Sequence, residues 1–220
     1  MRKQSLVTGE YYHIYNRGVD KRDIFSNRKD LERFVESILE FNKVDAVGSL
    51  ANLRKTNIEL KQISEPLVSF VVYCLNPNHF HFVLKQLRDG GIAKFMQKLQ
   101  AGYTSYFNIK NSRTGSLFQG PFKAHLVSDE SYFNKILGYT NKNYKIHNIP
   151  ASKVHLVFSS DTEYENNDFK IVSQEERKII LDVFNGSDGF KKHSEEIVSI
   201  IREERGKISL LENEELPDSA

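Results

Sequence analysis

The chain of 220 residues has a single cysteine, Cys74. One thiol forms no intrachain disulfide and builds no cysteine-based zinc cluster. It lies in the apolar run Leu67–Leu75, which makes it a small core residue before it is a nucleophile. Long apolar stretches are missing as well, and none approaches the roughly 20 residues of a membrane span. Met1–Glu10 has two basic residues but no apolar h-region, so no secretory signal is expected. No internal repeat is visible. These absences point to a cytoplasmic protein with no membrane partner.

What is present is ordinary for a soluble globular chain: 39% hydrophobic and 27% charged residues. The length suits one well-cored domain plus an appendage. The net charge of +2 hides an asymmetry. Residues 1–150 hold 22 Lys and Arg against 13 Asp and Glu, a net +9; residues 151–220 hold 9 against 16, a net −7. A basic body with an acidic tail suits a polyanion-binding domain carrying a separate appendage, although such halves also arise by chance.

The pattern along the chain predicts β-α-β-β-α-β-α. Glu10–Arg17 is rich in β-formers and stops at Gly18. Asn27 is placed to cap a helix through Leu31, Phe34, Val35, Ile38, Leu39 and Phe41. Residues 43–66 are polar and weakly periodic, an inserted loop or loose hairpin. Leu67–Leu75 predicts a strand buried on both faces, Asn76-Pro77-Asn78 a turn, and His79–Leu84 the returning strand. A helix over about 91–110 follows, then a strand over Phe122–Val127, and then a helix capped by Ser128 and running to about Tyr144. The first six elements make the split βαβ arrangement of a ferredoxin-like α+β sheet. After Pro150 the expectation is a short strand at 154–158, an acidic linker at 159–169, and helices near 173–185 and 189–205.

Two patterns carry chemistry. His79-Phe80-His81 places both imidazoles on one face of a strand and Phe80 on the other, a two-point metal site with an apolar back. Alone, such a pattern is more often incidental. Tyr139 and Asn143 lie four residues apart on the last core helix and share a face that can look onto those histidines. A tyrosine hydroxyl beside a divalent metal can attack a phosphodiester, and Asn143 can add an oxygen ligand. The bland alternative is a core tyrosine and a helix-terminal asparagine. His13 is read as structural, and His125, His147, His155 and His193 as ordinary polar residues.

In this order the motifs resemble those of the single-tyrosine HUH transposases, most closely the REP-associated tyrosine transposases. The resemblance covers about residues 10–148. It is carried by Tyr12-His13-Ile14-Tyr15-Asn16-Arg17-Gly18, by Asn76-Pro77-Asn78-His79-Phe80-His81 and by Phe95-Met96-Gln97-Lys98-Leu99 with Tyr106-Phe107-Asn108. It continues through Gly115–Lys123 and ends on Tyr139-Thr-Asn-Lys-Asn143. The chain departs from the family pattern at Phe118, where tryptophan is usual, and at Tyr144–His147 after the helix asparagine.

The resemblance implies an HUH endonuclease fold over residues 1–150; the acidic helical appendage expected over 151–220 from charge and pattern is not part of the shared core. It implies Tyr139 as nucleophile, His79, His81 and Asn143 as ligands, and Mg²⁺ or Mn²⁺ as the divalent metal. The implied reaction cuts and rejoins single-stranded or hairpin DNA through a 5′-phosphotyrosine. The setting would be cytoplasmic and nucleoid-associated, in a prokaryote, with a monomer or homodimer acting. Other readings are a non-catalytic hairpin-binding module and a replication-initiator or relaxase-like nickase. Motif order disfavours the nickase, because relaxases place the tyrosine before the histidines. Basic side chains with aromatic neighbours grip single strands. The candidates for DNA contact are Arg17, Lys21, Arg22, Lys94, Lys98, Arg113, Lys123 and Lys142, against the alternative of a solvated face.

Overall fold

The computed structural model describes residues 6–44, 65–147 and 149–211. The expected insertion at 43–66 falls largely outside them.

Five antiparallel strands form one sheet in the order β4-β1-β3-β2-β5. They are β1 (Tyr11–Arg17), β2 (Val68–Asn76), β3 (His79–Gln86), β4 (Lys123–Leu126) and β5 (Phe158–Ser159). The helices are α1 (Arg28–Phe41), α2 (Gly91–Lys110), α3 (Glu130–Asn141), α4 (Asn143–Ile146), α5 (Ser160–Asn166), α6 (Gln174–Val183) and α7 (Ser187–Leu211). The first four strands with α1, α2 and α3 are the expected split βαβ core, so the α+β ferredoxin-like class holds.

Local chemistry explains where these elements start. The Asn27 side chain accepts the Asp30 amide at 3.1 Å and caps α1 as expected. The cap of α3 is Asp129 rather than Ser128: its carboxylate accepts the Tyr132 amide at 2.8 Å, and Ser128 donates to that carboxylate at 2.9 Å. A carboxylate at a helix N-terminus also meets the positive end of the helix dipole, which favours the one-residue shift. The expected continuous helix to Tyr144 breaks at Lys142, whose ψ of 27° divides α3 from α4.

Alternation along β3 separates two faces. Phe80 packs against Phe34 of α1, with ring centroids 5.7 Å apart, and Phe82 reaches α2 through Phe70 and Phe95. His79 and His81 look the other way, toward α3. The main core lies between the sheet and α1–α2, where the burial of large aliphatic and aromatic side chains contributes roughly 2 kcal/mol each.

The segment after Pro150 differs from its sequence reading. Ala151–Leu156 is a 3₁₀ turn, and only Phe158–Ser159 is strand, paired to Leu75 and Cys74 at the edge of β2. The expected linker holds α5, whose Asp161 and Glu163 face inward while Glu165 stays exposed. Glu163 is buried, accepts the Tyr73 hydroxyl at 2.8 Å, and takes the amides of Ile171 and Val172 at 3.1 Å each. A carboxylate with that many donors is satisfied without solvent, which is why acidity here did not mean exposure. Tyr164, Ile180 and Phe190 join the main core.

Candidate active site and metal centre

The register of the sheet assembles the site. Arg17 lies opposite His79 and Tyr15 opposite His81 across β1–β3; Asn76 lies opposite His79 across β2–β3; His13 and Tyr15 lie opposite His125 and Lys123 across β1–β4. Directly paired residues share a face. Four strands therefore bring Lys123, His125, His13, Tyr15, Arg17, His79, His81 and Asn76 onto one surface. The tyrosine helix α3 packs over it.

His79 is 8% exposed and His81 7%. The Nδ1 of His79 meets the Asn78 Oδ1 at 2.6 Å, and the Asn78 amide nitrogen donates to the Lys21 carbonyl at 3.1 Å, which orients that oxygen. His79 therefore carries its proton on Nδ1 and presents a lone pair on Nε2. That lone pair lies 3.2 Å from the Asn143 Oδ1 and 2.9 Å from the Asn76 amide nitrogen, which donates to Asn143 as well, at 2.8 Å.

His81 Nδ1 lies 2.8 Å from His13 Nε2. A ligating lone pair on His81 Nε2 requires the proton on Nδ1, so His13 must accept and thereby fixes both the tautomer and the ring. Burial pushes His13 and His79 down to about 3 and His81 well below the ordinary histidine value; neighbouring rings add to this. His147 is lowered to about 4, by desolvation and then by the Arg205 and Arg17 guanidiniums. All four imidazoles are thus neutral at pH 7, the state in which histidine binds metal.

His147, read from sequence as an ordinary polar residue, joins the cluster. One ligand nitrogen from each of His79, His81 and His147 falls within 4.8 Å of the others. The available signal was its spacing of four from Asn143 and eight from Tyr139. The donor set of neutral imidazoles and a buried amide oxygen fits a divalent cation of the Mn²⁺ or Zn²⁺ kind.

Tyr139 closes the site from α3. Its ring meets His81 edge-on at 5.5 Å and His13 at 6.0 Å. Burial raises its hydroxyl above the ordinary tyrosine value. The Asn143 amide nitrogen is buried without a hydrogen-bond partner among the described residues. A cleft of about 480 Å³ opens beside Tyr139, lined by His13, Tyr15, His81, His125, Tyr132 and Glu204. A second, of about 150 Å³, lies on the other side of the histidines and holds Arg17, Asn78, His79, His147 and Lys153.

The expected DNA-contact residues divide. Arg17 lines the second cleft with its Nε buried and, among the described residues, unpartnered; Lys123 stands over the Tyr15 ring at 5.8 Å, and Lys21 is exposed beside Asn78. Arg22 pairs with Asp20 at 3.5 Å. Lys94 and Lys98 lie on α2, across the sheet from the histidines, and donate to the Val44 and Lys43 carbonyls at 2.8 and 2.7 Å. Arg113 folds onto Asn108 and Ser116 beside Phe107. Lys142 is a correction. It is fully buried and ion-paired with Asp161 at 2.7 Å and Glu195 at 3.7 Å, so it is not available to a phosphate.

A split βαβ core within the five-stranded sheet, its paired strand histidines facing a helix tyrosine, defines the architecture. A solved structure of the same fold is described as a REP-associated tyrosine transposase bound to a REP hairpin. It superposes with a TM-score of 0.50 over 79% of this chain and 89% of that one, at 11% sequence identity. No protein-family model and no curated protein matches the chain.

Proposed function

We propose that the chain is a metal-dependent single-stranded DNA endonuclease and strand transferase that acts on hairpin-bearing DNA. The observation that carries this reading is the convergence of His79 and His81 on one sheet face with Asn143 and the Tyr139 ring packed over them. Its fold neighbour, a transposase bound to a hairpin, supports the same class of partner.

When bound, a divalent cation would screen the scissile phosphate and stabilise the charge building on its oxygens. Tyr139 supplies the nucleophile: its oxygen bonds to phosphorus, the bond to the 3′-oxygen breaks, and the tyrosine proton is exchanged through solvent for the one that the 3′-hydroxyl gains. His13 holds His81 in its ligating tautomer. Arg17, in the second cleft, and Lys123, over the Tyr15 ring, would contact the phosphates of a bound strand, and Tyr15 and Tyr132 would offer faces for its bases. The reverse reaction rejoins a strand, because the phosphotyrosine conserves the energy of the broken bond.

The test is covalent trapping. Labelled hairpin DNAs from the neighbourhood of the gene are incubated with the protein and Mn²⁺, Mg²⁺ or chelator, beside Tyr139→Phe. The expected result is a metal-dependent protein–DNA adduct, absent in the variant. Tight hairpin binding with no adduct in any metal would instead make this a binding module on the same fold.

A further inference from the structure

We infer that Asn76 is a further ligand of the cation site, its side-chain amide turning over when the ion binds. This rests on the metal-dependent reading above. Asn76 ends β2, is fully buried, and lies opposite His79 in the hairpin register. Its terminal nitrogen, the Asn143 Oδ1 and the His79 Nε2 form a triangle with edges of 2.8, 2.9 and 3.2 Å.

Those edges have a meaning in coordination geometry. Ligands at about 2.1 Å from one ion, at near-right angles, are separated by about 3.0 Å. The three terminal atoms therefore occupy one triangular face of a coordination shell, and the Asn76 atom sits at a vertex, not at the centre. Only its identity is wrong: a donating nitrogen stands where a ligand needs a lone pair.

The identity is set by the neighbours. His79 Nε2 and Asn143 Oδ1 both present lone pairs, which an N–H satisfies. With a cation drawing on those lone pairs, the same nitrogen would face positive charge. A half-turn about the last side-chain bond exchanges Nδ2 for Oδ1 with almost no displacement of heavy atoms, since the amide is nearly symmetric in shape. Little holds the present orientation from the far side, where among the described residues the Asn76 Oδ1 receives only the Cys74 thiol at 3.7 Å. The chain thus has an amide that fills its own hydrogen bonds in one orientation and completes an oxygen-rich face in the other.

The experiment is Mn²⁺ titration of the full chain, followed by calorimetry and by the loss of the free-ion electron paramagnetic resonance signal. Asn76→Leu keeps the volume and removes both polar atoms; Asn76→Asp keeps the shape and replaces the amide by a carboxylate. The expected result is binding weakened about tenfold or more by Leu and tightened several-fold by Asp. Native-like binding in a folded Leu variant would overturn the assignment, as would an Asp variant that binds no more tightly than the parent. The Asp variant decides the matter if the Leu variant does not fold. If the parent chain itself takes up no Mn²⁺, the metal-dependent reading fails first and this inference with it; parental binding that ignores both substitutions removes Asn76 alone.

Discussion

His13 and His79 are buried as neutral rings, and that has a measurable cost in acid. Both are held near 3, below the ordinary 6.5, by loss of solvent. Below about pH 6.5 the unfolded chain gains protons on these side chains that the folded chain refuses until near pH 3. Stability therefore falls with acidification across that window, by at most about 1.4 kcal/mol per pH unit for each ring. Urea unfolding of the metal-free protein at pH 7.5, 6 and 5 should show a falling midpoint; a midpoint unchanged over that range would mean that the rings are solvated. The partners of these residues explain how far sequence could reach. His79, His81, Tyr139 and Asn143 are legible because each pair is local, two apart on a strand or four apart near a helix end. His13 joins them only through strand register, which no local spacing encodes, and Asn76, three residues before His79, reads locally as a turn residue. Lys142 was misread for a related reason: its carboxylate, Asp161, lies on α5, in a stretch whose polarity suggested a linker.

At the scale of elements, the tyrosine helix is held from both sides. Beneath it lies the histidine face of the sheet; above it α7 runs close enough that Gly138 admits no side chain. A Cβ there would stand 2.8 Å from the Ile197 Cγ1, 2.9 Å from its Cβ and 3.3 Å from the Ser194 Cα. The neighbouring residues are tied down too. Asn141 bonds Ser194 and Ser160 at 3.2 and 2.6 Å, Tyr144 donates to Asp161 at 2.8 Å, and Ile146 packs on Val198 and Ile201. Gly138→Ala should cost about 1–3 kcal/mol by overpacking, read as a lowered melting temperature. Ile197→Ala in the same chain should recover part of that loss, and strictly additive effects of the two changes would show that the helices do not meet there. The order of strands and the type of each core helix followed from hydrophobic period, because period is what burial on one face imposes. The break at Lys142 did not, since a buried ion pair rather than any helix breaker sets it.

Over the whole molecule, the division of charge at residue 150 does not coincide with a division of packing. β5 extends the sheet past β2, and Tyr164 and Phe190 complete the same core as Phe70 and Phe82. Part of the acidic charge is turned inward, on Glu163 toward backbone amides and on Asp161 toward Lys142. The clasp of α7 on the tyrosine helix then bears on how copies of the chain relate to one another. A helix fastened along its length to its own C-terminal segment cannot be lent to a neighbour without tearing those fastenings, so under the proposed reaction each Tyr139 would serve the histidines of its own chain. Mixing Tyr139→Phe protein with His81→Ala protein should leave hairpin DNA uncut, however concentrated the mixture. An adduct on the His81→Ala chain would mean instead that tyrosine and histidines are shared between copies, and that each molecule is half of its own active site.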